Sequence, residues 1–328
     1  MRHKKALVAG VILATVLTTG IPAFASAKTR LAELRVEGPG VTLDHGTWYV
    51  TGPESARKSK PADDCERAAG HIAIAGPTPL SLVASGEVAN ADLSQVRVRM
   101  DEAGLFVCEI GGIVGRTFTD PDGFAGWIYY QDLVFGSAPA DQLELAREDH
   151  ILWVYSDFGT AEPANTGEVL EMLDVPARSD GSFTLRVREH GFDGSVDPAV
   201  GATIEGAQSV NDLGDGTYEV TVSDGFTRLR ATRGLDVPSN STKTCSLEQS
   251  SQCPKAHGRM IVGSARRDDL SGTRGFDKID SRRGDDDIDL SQPGQDIVSC
   301  GAGEDTILLG KGDRDDQIDE NCEKVKRD

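Results

Sequence analysis

The C-terminal part of this chain repeats every nine residues, and so short a period leaves few folds open to it. Residues 263–271 read GSARRDDLS, 272–280 GTRGFDKID and 281–289 SRRGDDDID. After Leu290, residues 291–299 read SQPGQDIVS, 300–308 CGAGEDTIL and 309–319 LGKGDRDDQID, which is two residues too long. Asp268, Asp277, Asp286, Asp296, Asp305 and Asp316 share one column. Leu270, Ile279, Ile288, Val298, Ile307 and Ile318 share the column two places on. Gly275, Gly284, Gly294, Gly303 and Gly312 hold the fourth column, where the first copy has Arg266. A repeat of this size cannot bury its aliphatic alone, but stacked copies can, so the columns predict a solenoid. The aliphatic then lies on a short strand facing a narrow core. The glycine permits positive φ in the turn. The aspartate faces the turn, where a hard cation takes oxygen ligands.

These columns resemble the repeats-in-toxin, or hemolysin-type, calcium-binding nonapeptide, whose ideal form is G-G-x-G-x-D-x-U-x. The resemblance implies a parallel β-roll in which two nonapeptides complete one coil. It also implies Ca²⁺ shared by aspartates two copies apart, with turn carbonyls as further ligands. Asp268, Asp286 and Asp305 then line one edge, and Asp277, Asp296 and Asp316 the other. No copy carries both leading glycines, and Arg266, Arg267, Arg274, Lys278, Arg282 and Arg283 crowd the turns. A degenerate solenoid with solvated acids and no metal is the alternative.

The N-terminus reads as a signal peptide. Arg2, His3, Lys4 and Lys5 precede an uncharged apolar run, and Ala25-Ser26-Ala27 fits the small-residue cleavage pattern. Residues 1–27 are therefore expected to be removed, leaving a secreted chain without a membrane span; the apolar run is too short for a stable one. The net charge of −19 is spread along the chain, which argues against nucleic-acid binding and suits solubility and attraction of cations. Six cysteines behind a signal peptide point to disulfides. Six allow 15 pairings, but they fall two per segment, so Cys65–Cys108, Cys245–Cys253 and Cys300–Cys322 are expected, with free buried thiols as the alternative.

The fold class expected is mainly β and multidomain: an N-terminal module over 28–160, a sandwich over 161–240, a linker over 241–262 and the coil over 263–328. In the first segment, alternation marks strands at 31–37, 47–51, 96–100, 106–110, 126–130 and 150–155, with a helix from about 79 to 88 starting at Thr78. Leu34-Arg35-Val36-Glu37-Gly38, Ile110-Gly111-Gly112, Gly126-Trp127-Ile128-Tyr129 and residues 149–155 (DHILWVY) make this segment resemble the C-terminal domain of transcobalamin and intrinsic factor. That resemblance implies a β-grasp-like module, and in the vitamin carriers this domain forms one wall of a ligand site. Trp127 and Tyr129 are the candidate ligand-binding residues here, although aromatics on alternating strands more often fill a core. In the second segment, strands near 182–188, 202–205, 217–222 and 227–232 are separated by Asp-Gly turns. With residues 198–204 (PAVGATI) followed by Gly214-Asp215-Gly216, they resemble bacterial immunoglobulin-like or carboxypeptidase-regulatory-like sandwiches, which are commonly spacers or adhesive units.

No HExxH, GxSxG, P-loop or GxGxxG motif occurs, and no catalytic residues are nominated. Asp120 and Asp122 beside Gly123 read as turn formers. The expected function is a secreted, non-enzymatic, calcium-binding protein of surface or adhesion type, with an unidentified surface component or protein as partner. An extracellular carrier of a corrinoid-like small molecule is the alternative.

Overall fold

The computed structural model describes residues 28–60, 65–100, 104–116, 120–158, 167–247, 253–311 and 316–327. The expected leader and Gly312 lie outside the described residues. The protein is mainly β, with several sheets and, among the described residues, one α-helix.

Alternation gives β1 (Arg30–Gly38) two faces, with Leu34 and Val36 on one and Glu33, Arg35 and Glu37 on the other. β2 (Val41–Thr51) returns antiparallel beside it. β3 (Glu54–Ser59), β4 (Arg67–Ile74), α1 (Pro79–Ala89), β5 (Arg97–Met100), β6 (Leu105–Ile110) and β7 (Ile113–Val114) follow. β8 (Ala125–Gln131), β9 (Val134–Phe135) and β10 (His150–Asp157) complete the segment. Thr78 starts α1 by accepting from Ser81 N at 3.1 Å, while Ser81 Oγ accepts from Thr78 N at 2.7 Å. The helix buries Leu80, Leu82 and Val83 in one core with Leu34, Val36, Tyr49, Trp127 and Trp153. The five-stranded sheet β4-β3-β5-β6-β7 contributes Val98, Val107 and Ile110 to the same core.

The middle segment contains β11 (Val169–Leu173), β12 (Arg178–Ser179), β13 (Ser182–His190), β14 (Val196–Pro198), β15 (Thr203–Glu205), β16 (Ser209–Asp212), β17 (Thr217–Thr221), β18 (Gly225–Thr232) and β19 (Thr242–Ser246). The order β11-β13-β17-β16, with β14 on β13, makes one sheet, and β12-β19-β18-β15 makes the other. Leu185, Val187, Tyr218, Val220, Leu229 and Ala231 are buried together in this segment. β19 lies in the stretch read as a linker. Its Thr-rich sequence looks like a spacer, yet it pairs with β18 and β12 and buries Cys245.

β20 (Met260–Val262), β21 (Asp269–Ser271), β22 (Lys278–Asp280), β23 (Asp287–Leu290), β24 (Ile297–Ser299), β25 (Thr306–Leu309), β26 (Gln317–Ile318) and β27 (Lys324–Arg327) follow. Successive strands alternate between two parallel sheets, β20-β22-β24-β26 and β21-β23-β25-β27, so two repeats complete a coil. The aliphatic column is in register, with Leu270 beside Ile288, Ile288 beside Ile307 and Ile307 beside Val325.

The coil does not stand apart. β20 pairs in parallel with β2, through Trp48 with Ile261 and Tyr49 with Val262. One nine-stranded sheet therefore runs β26-β24-β22-β20-β2-β1-β10-β8-β9. Its alternation sorts the junction: Tyr49 and Val262 enter the core beneath α1, while Trp48 and Val50 enter the coil's core with Ile261 and Ile279. Further along, the outer face of the same sheet meets the middle segment. There Tyr130, Leu152 and Val154 pack with Val169 and Val237. Beside them Glu37 is buried and accepts from Arg230 Nη2 at 2.7 Å, with Arg35 Nε 3.3 Å away. Arg35 also donates to Pro238 O at 2.8 Å. Disulfides join Cys65 to Cys108, Cys245 to Cys253 and Cys300 to Cys322.

Candidate metal centre

Coil stacking places the aspartate column at the point where each short strand begins, and the carboxylates turn inward. Asp268, Asp277, Asp286, Asp296 and Asp305 are at most 3% exposed, so they are not the solvated acids of a degenerate solenoid. From the second copy onward, each carboxylate accepts a main-chain N–H from the preceding coil. On one edge Asp268 N donates to Asp286 Oδ1 at 2.8 Å, Asp286 N to Asp305 Oδ1 at 2.9 Å and Asp305 N to Glu323 Oε2 at 2.9 Å. On the other, Arg259 N donates to Asp277 Oδ1 at 2.6 Å, Asp277 N to Asp296 Oδ1 at 2.9 Å and Asp296 N to Asp316 Oδ1 at 2.9 Å. A buried N–H must find an acceptor, and the aspartate column supplies one per strand. The edge assignment follows from the two-repeat coil: each ladder contains every second copy.

The ladders reach one place beyond the repeat in each direction. Arg259 occupies the aspartate position before the first copy, and Glu323 occupies it after the sixth. The signal was present in Arg259-Met260-Ile261 and Glu323-Lys324-Val325, which keep the aliphatic two places after the column. Arg259 lacks the acid, and Glu323 follows a short final spacing, so neither matches the motif by eye.

The two oxygens of each acid differ in their partners. In the first copies, a hydroxyl residue four places upstream completes the carboxylate. Ser264 N donates to Asp268 Oδ2 at 2.6 Å and Ser264 Oγ to Asp268 Oδ1 at 3.1 Å. Thr273 Oγ1 donates in the same way to Asp277 at 3.0 Å. Arg282 and Gly301 hold the equivalent early-turn positions ahead of Asp286 and Asp305. Ser281, which is nearby, gives its hydroxyl proton to Cys300 O at 2.8 Å. Asp286 Oδ2 and Asp305 Oδ2 are buried without a hydrogen-bond donor. Burial pushes the carboxyls of Asp268 and Asp305 up. Burial, aided by the charges of Asp268 and Asp305, pushes that of Asp286 up to about 6. Among the described residues, no three His, Cys, Asp or Glu side chains converge on one point as a metal cage. Ca²⁺ takes six to eight oxygens, so the carboxylates fit it only together with turn carbonyls and water.

The turn glycines serve a purpose beyond the one read from sequence. Gly284 and Gly303 have positive φ, at +129° and +151°, but Gly275 and Gly294 do not. A Cβ at any of the four would strike the backbone of the coil below. It would lie 2.2 Å from Gly258 N at Gly275 and 2.3 Å from Arg266 O at Gly284. The distances are 2.6 Å from Gly275 O at Gly294 and 1.7 Å from Gly284 O at Gly303. Close approach of neighbouring turns is the common requirement.

Trp127 and Tyr129 belong to the core beneath α1. Both are nearly buried, and their polar atoms are satisfied within the module. Trp127 Nε1 donates to Ile113 O at 3.1 Å and Tyr129 Oη to Ala138 O at 2.5 Å. They also form the back wall of an open cleft of about 240 Å³ shared with Phe135 and Trp153. Asp120 accepts from Asp122 N at 3.0 Å and Gly123 N donates to the Asp120 carbonyl at 2.9 Å, which closes a turn.

No protein-family model, curated protein or solved structure matches the chain.

Proposed function

We propose that this is a secreted, non-enzymatic protein whose C-terminal coil is a parallel β-roll of the repeats-in-toxin type, completed by Ca²⁺. In this reading a β-grasp-like module and an immunoglobulin-like sandwich present a surface to an extracellular component or protein. The observation that carries it is the pair of buried oxygens, Asp286 Oδ2 and Asp305 Oδ2, with no donor. Two like charges in adjacent coils with unsatisfied oxygens disfavour folding, and a divalent cation relieves both penalties. The three disulfides agree with an oxidising compartment. No helix among the described residues is long and apolar enough to cross a membrane.

The residues named for the cation are Asp286 and Asp305, with Glu323 beside them. Asp268 and Asp277 are less suited, because Ser264 and Thr273 already donate to them. Titrating the full mature chain with Ca²⁺ by calorimetry, alongside melting in Ca²⁺ and in EDTA, tests this. A site filled to ~100 times its dissociation constant adds ~2.7 kcal/mol. Mg²⁺, which dehydrates reluctantly, is expected to do less. Superimposable melting curves in Ca²⁺ and EDTA, with no titration heat, would leave the aspartate ladders as purely structural.

A second reading, an extracellular carrier of a corrinoid-like small molecule, rests on the open cleft of about 240 Å³ with Trp127 and Tyr129 at its back wall. A shift in cobalamin absorbance on mixing supports it. An unchanged spectrum at saturating ligand removes it.

A further inference from the structure

The turns before Asp268, Asp286 and Asp305 stack on one edge of the coil, and their first four columns read GSAR, SRRG and CGAG. They hold Arg266, Arg282 and Arg283 and no acid, in a chain of net charge −19. The acids Asp285 and Glu304 stand in the fifth column, and the basic groups beside that column are already paired: Arg267 with Asp287, and Lys324 with Glu304 at 2.8 Å. Arg266, Arg282 and Arg283 form no ion pair and donate no side-chain hydrogen bond among the described residues. Arg266 and Arg283 are exposed and Arg282 is half-buried. Arg266 stacks on Gly284, the residue after Arg283, because a Cβ at Gly284 would lie 2.3 Å from Arg266 O. The three guanidinium groups therefore come from adjacent coils, about 4.8 Å apart. From the first module Glu54 faces Arg266 and Arg282, and it accepts Ser85 Oγ at 3.2 Å. Asp268, behind Arg266, already accepts from Ser264. Positive charge is left in surplus on this face. The backbone adds a second observation. Arg282 is held at φ +72°, in the left-handed region, whereas the same column one coil on has Gly301 at φ +79°. Glycine adopts this conformation readily and other residues do not. Arg266 likewise stands in the column that glycine fills in the later copies. Coil packing accounts for neither arginine, and both put a guanidinium on the same face.

The geometry points to a binding site for a compact multivalent phosphate group, held across two coils by Arg266, Arg282 and Arg283. Guanidinium forks match phosphate oxygens two at a time. A carboxylate carries one charge and engages one of the three. The acidity of the rest of the chain repels a long polyanion, so the guest is small or presented singly. None of the three arginine side chains belongs to the aspartate ladders, so the site does not rest on the cation proposed there.

Calorimetric titration of the full mature chain with inorganic pyrophosphate in EDTA, and with inorganic sulfate in dilute Ca²⁺, reads the site whether or not the coil takes the cation. Sulfate stands in for the phosphate dianion there because it leaves dilute Ca²⁺ in solution. Each should bind at least about tenfold more tightly than acetate in the same buffer. Arg282→Gly should weaken binding by about tenfold yet melt no lower than the wild type, because it relieves the left-handed backbone. Arg283→Ala should weaken binding similarly, while Lys243→Gln, an exposed residue of β19, should leave it unchanged. Sedimentation with vesicles containing phosphatidic acid, and not with phosphatidylcholine alone, would place the phosphate on a lipid headgroup; pyrophosphate binding without sedimentation would place it on a soluble molecule, and both support the site. No saturable binding in either buffer, acetate binding as tightly as the dianions, or equal losses from Lys243→Gln and the arginine variants would each overturn it.

Discussion

At the scale of single residues, the coil depends on a carboxylate oxygen and on a missing methyl group. Asp286 keeps its proton to about pH 6 in the folded chain, against an unfolded value near ~3.9. Its folded pKa is raised, so its favourable contribution is present below the unfolded value and is lost as pH rises through about 6. In EDTA, Asp286→Asn should therefore flatten this part of the stability–pH curve and exceed the wild type at neutral pH by about 1–3 kcal/mol. In excess Ca²⁺ the order should reverse. Denaturant melts across that pH range, with and without Ca²⁺, check both signs, and a wild type that gains stability at neutral pH in EDTA relative to the variant contradicts them. Gly303 tests the other dependence. An added Cβ would sit 1.7 Å from Gly284 O at φ +151°, so Gly303→Ala should cost roughly 2–4 kcal/mol. Gly214 also has positive φ but no neighbour within 4 Å, and Gly214→Ala should cost only ~1 kcal/mol. Equal costs, measured by urea denaturation, would mean that backbone conformation rather than coil contact sets the glycine column.

At the scale of elements, a solenoid needs its first apolar layer covered, and β2 provides the cover. Trp48 lies over Ile261 in the coil's core, with the Arg259 guanidinium 4.0 Å from its ring. Trp48→Ala should thus cost about 3–5 kcal/mol, with coil signals and N-terminal signals melting together because they share one sheet. Two separate transitions, with only the N-terminal one displaced, would show that the joint is not cooperative. At the opposite end, β27 continues both columns through Glu323 and Val325, and the Cys300–Cys322 disulfide ties it to the fifth copy. The period was legible because the aliphatic and the acid recur at fixed places. The cover was not, since Trp48-Tyr49-Val50 reads as any half-buried strand.

At the scale of the whole molecule, the nine-stranded sheet acts as the frame. One face carries α1, and the other carries the coil's second sheet and the middle segment. Glu37 holds the latter joint between Arg35 and Arg230. Removing the acid from a buried pair leaves uncompensated charge, so Glu37→Gln should cost about 3–5 kcal/mol. Partial proteolysis should then cut between the first and middle segments, whereas an unchanged digest and melt would show that the apolar contacts of Val154, Val169 and Val237 suffice. Local pattern determined much of this protein. Period two marked the strands of the first and middle segments, period nine marked the coil, Thr78 before Pro79 marked the helix start, and two cysteines per segment match the disulfides formed. These features depend on neighbours close in sequence, which a linear reading sees. What the tertiary structure decided depends on distant partners: β2 with β20, and Glu37 with Arg230. It also decided that the aspartates point inward, because only stacked coils bring each carboxylate to the N–H of a strand 18 to 20 residues earlier.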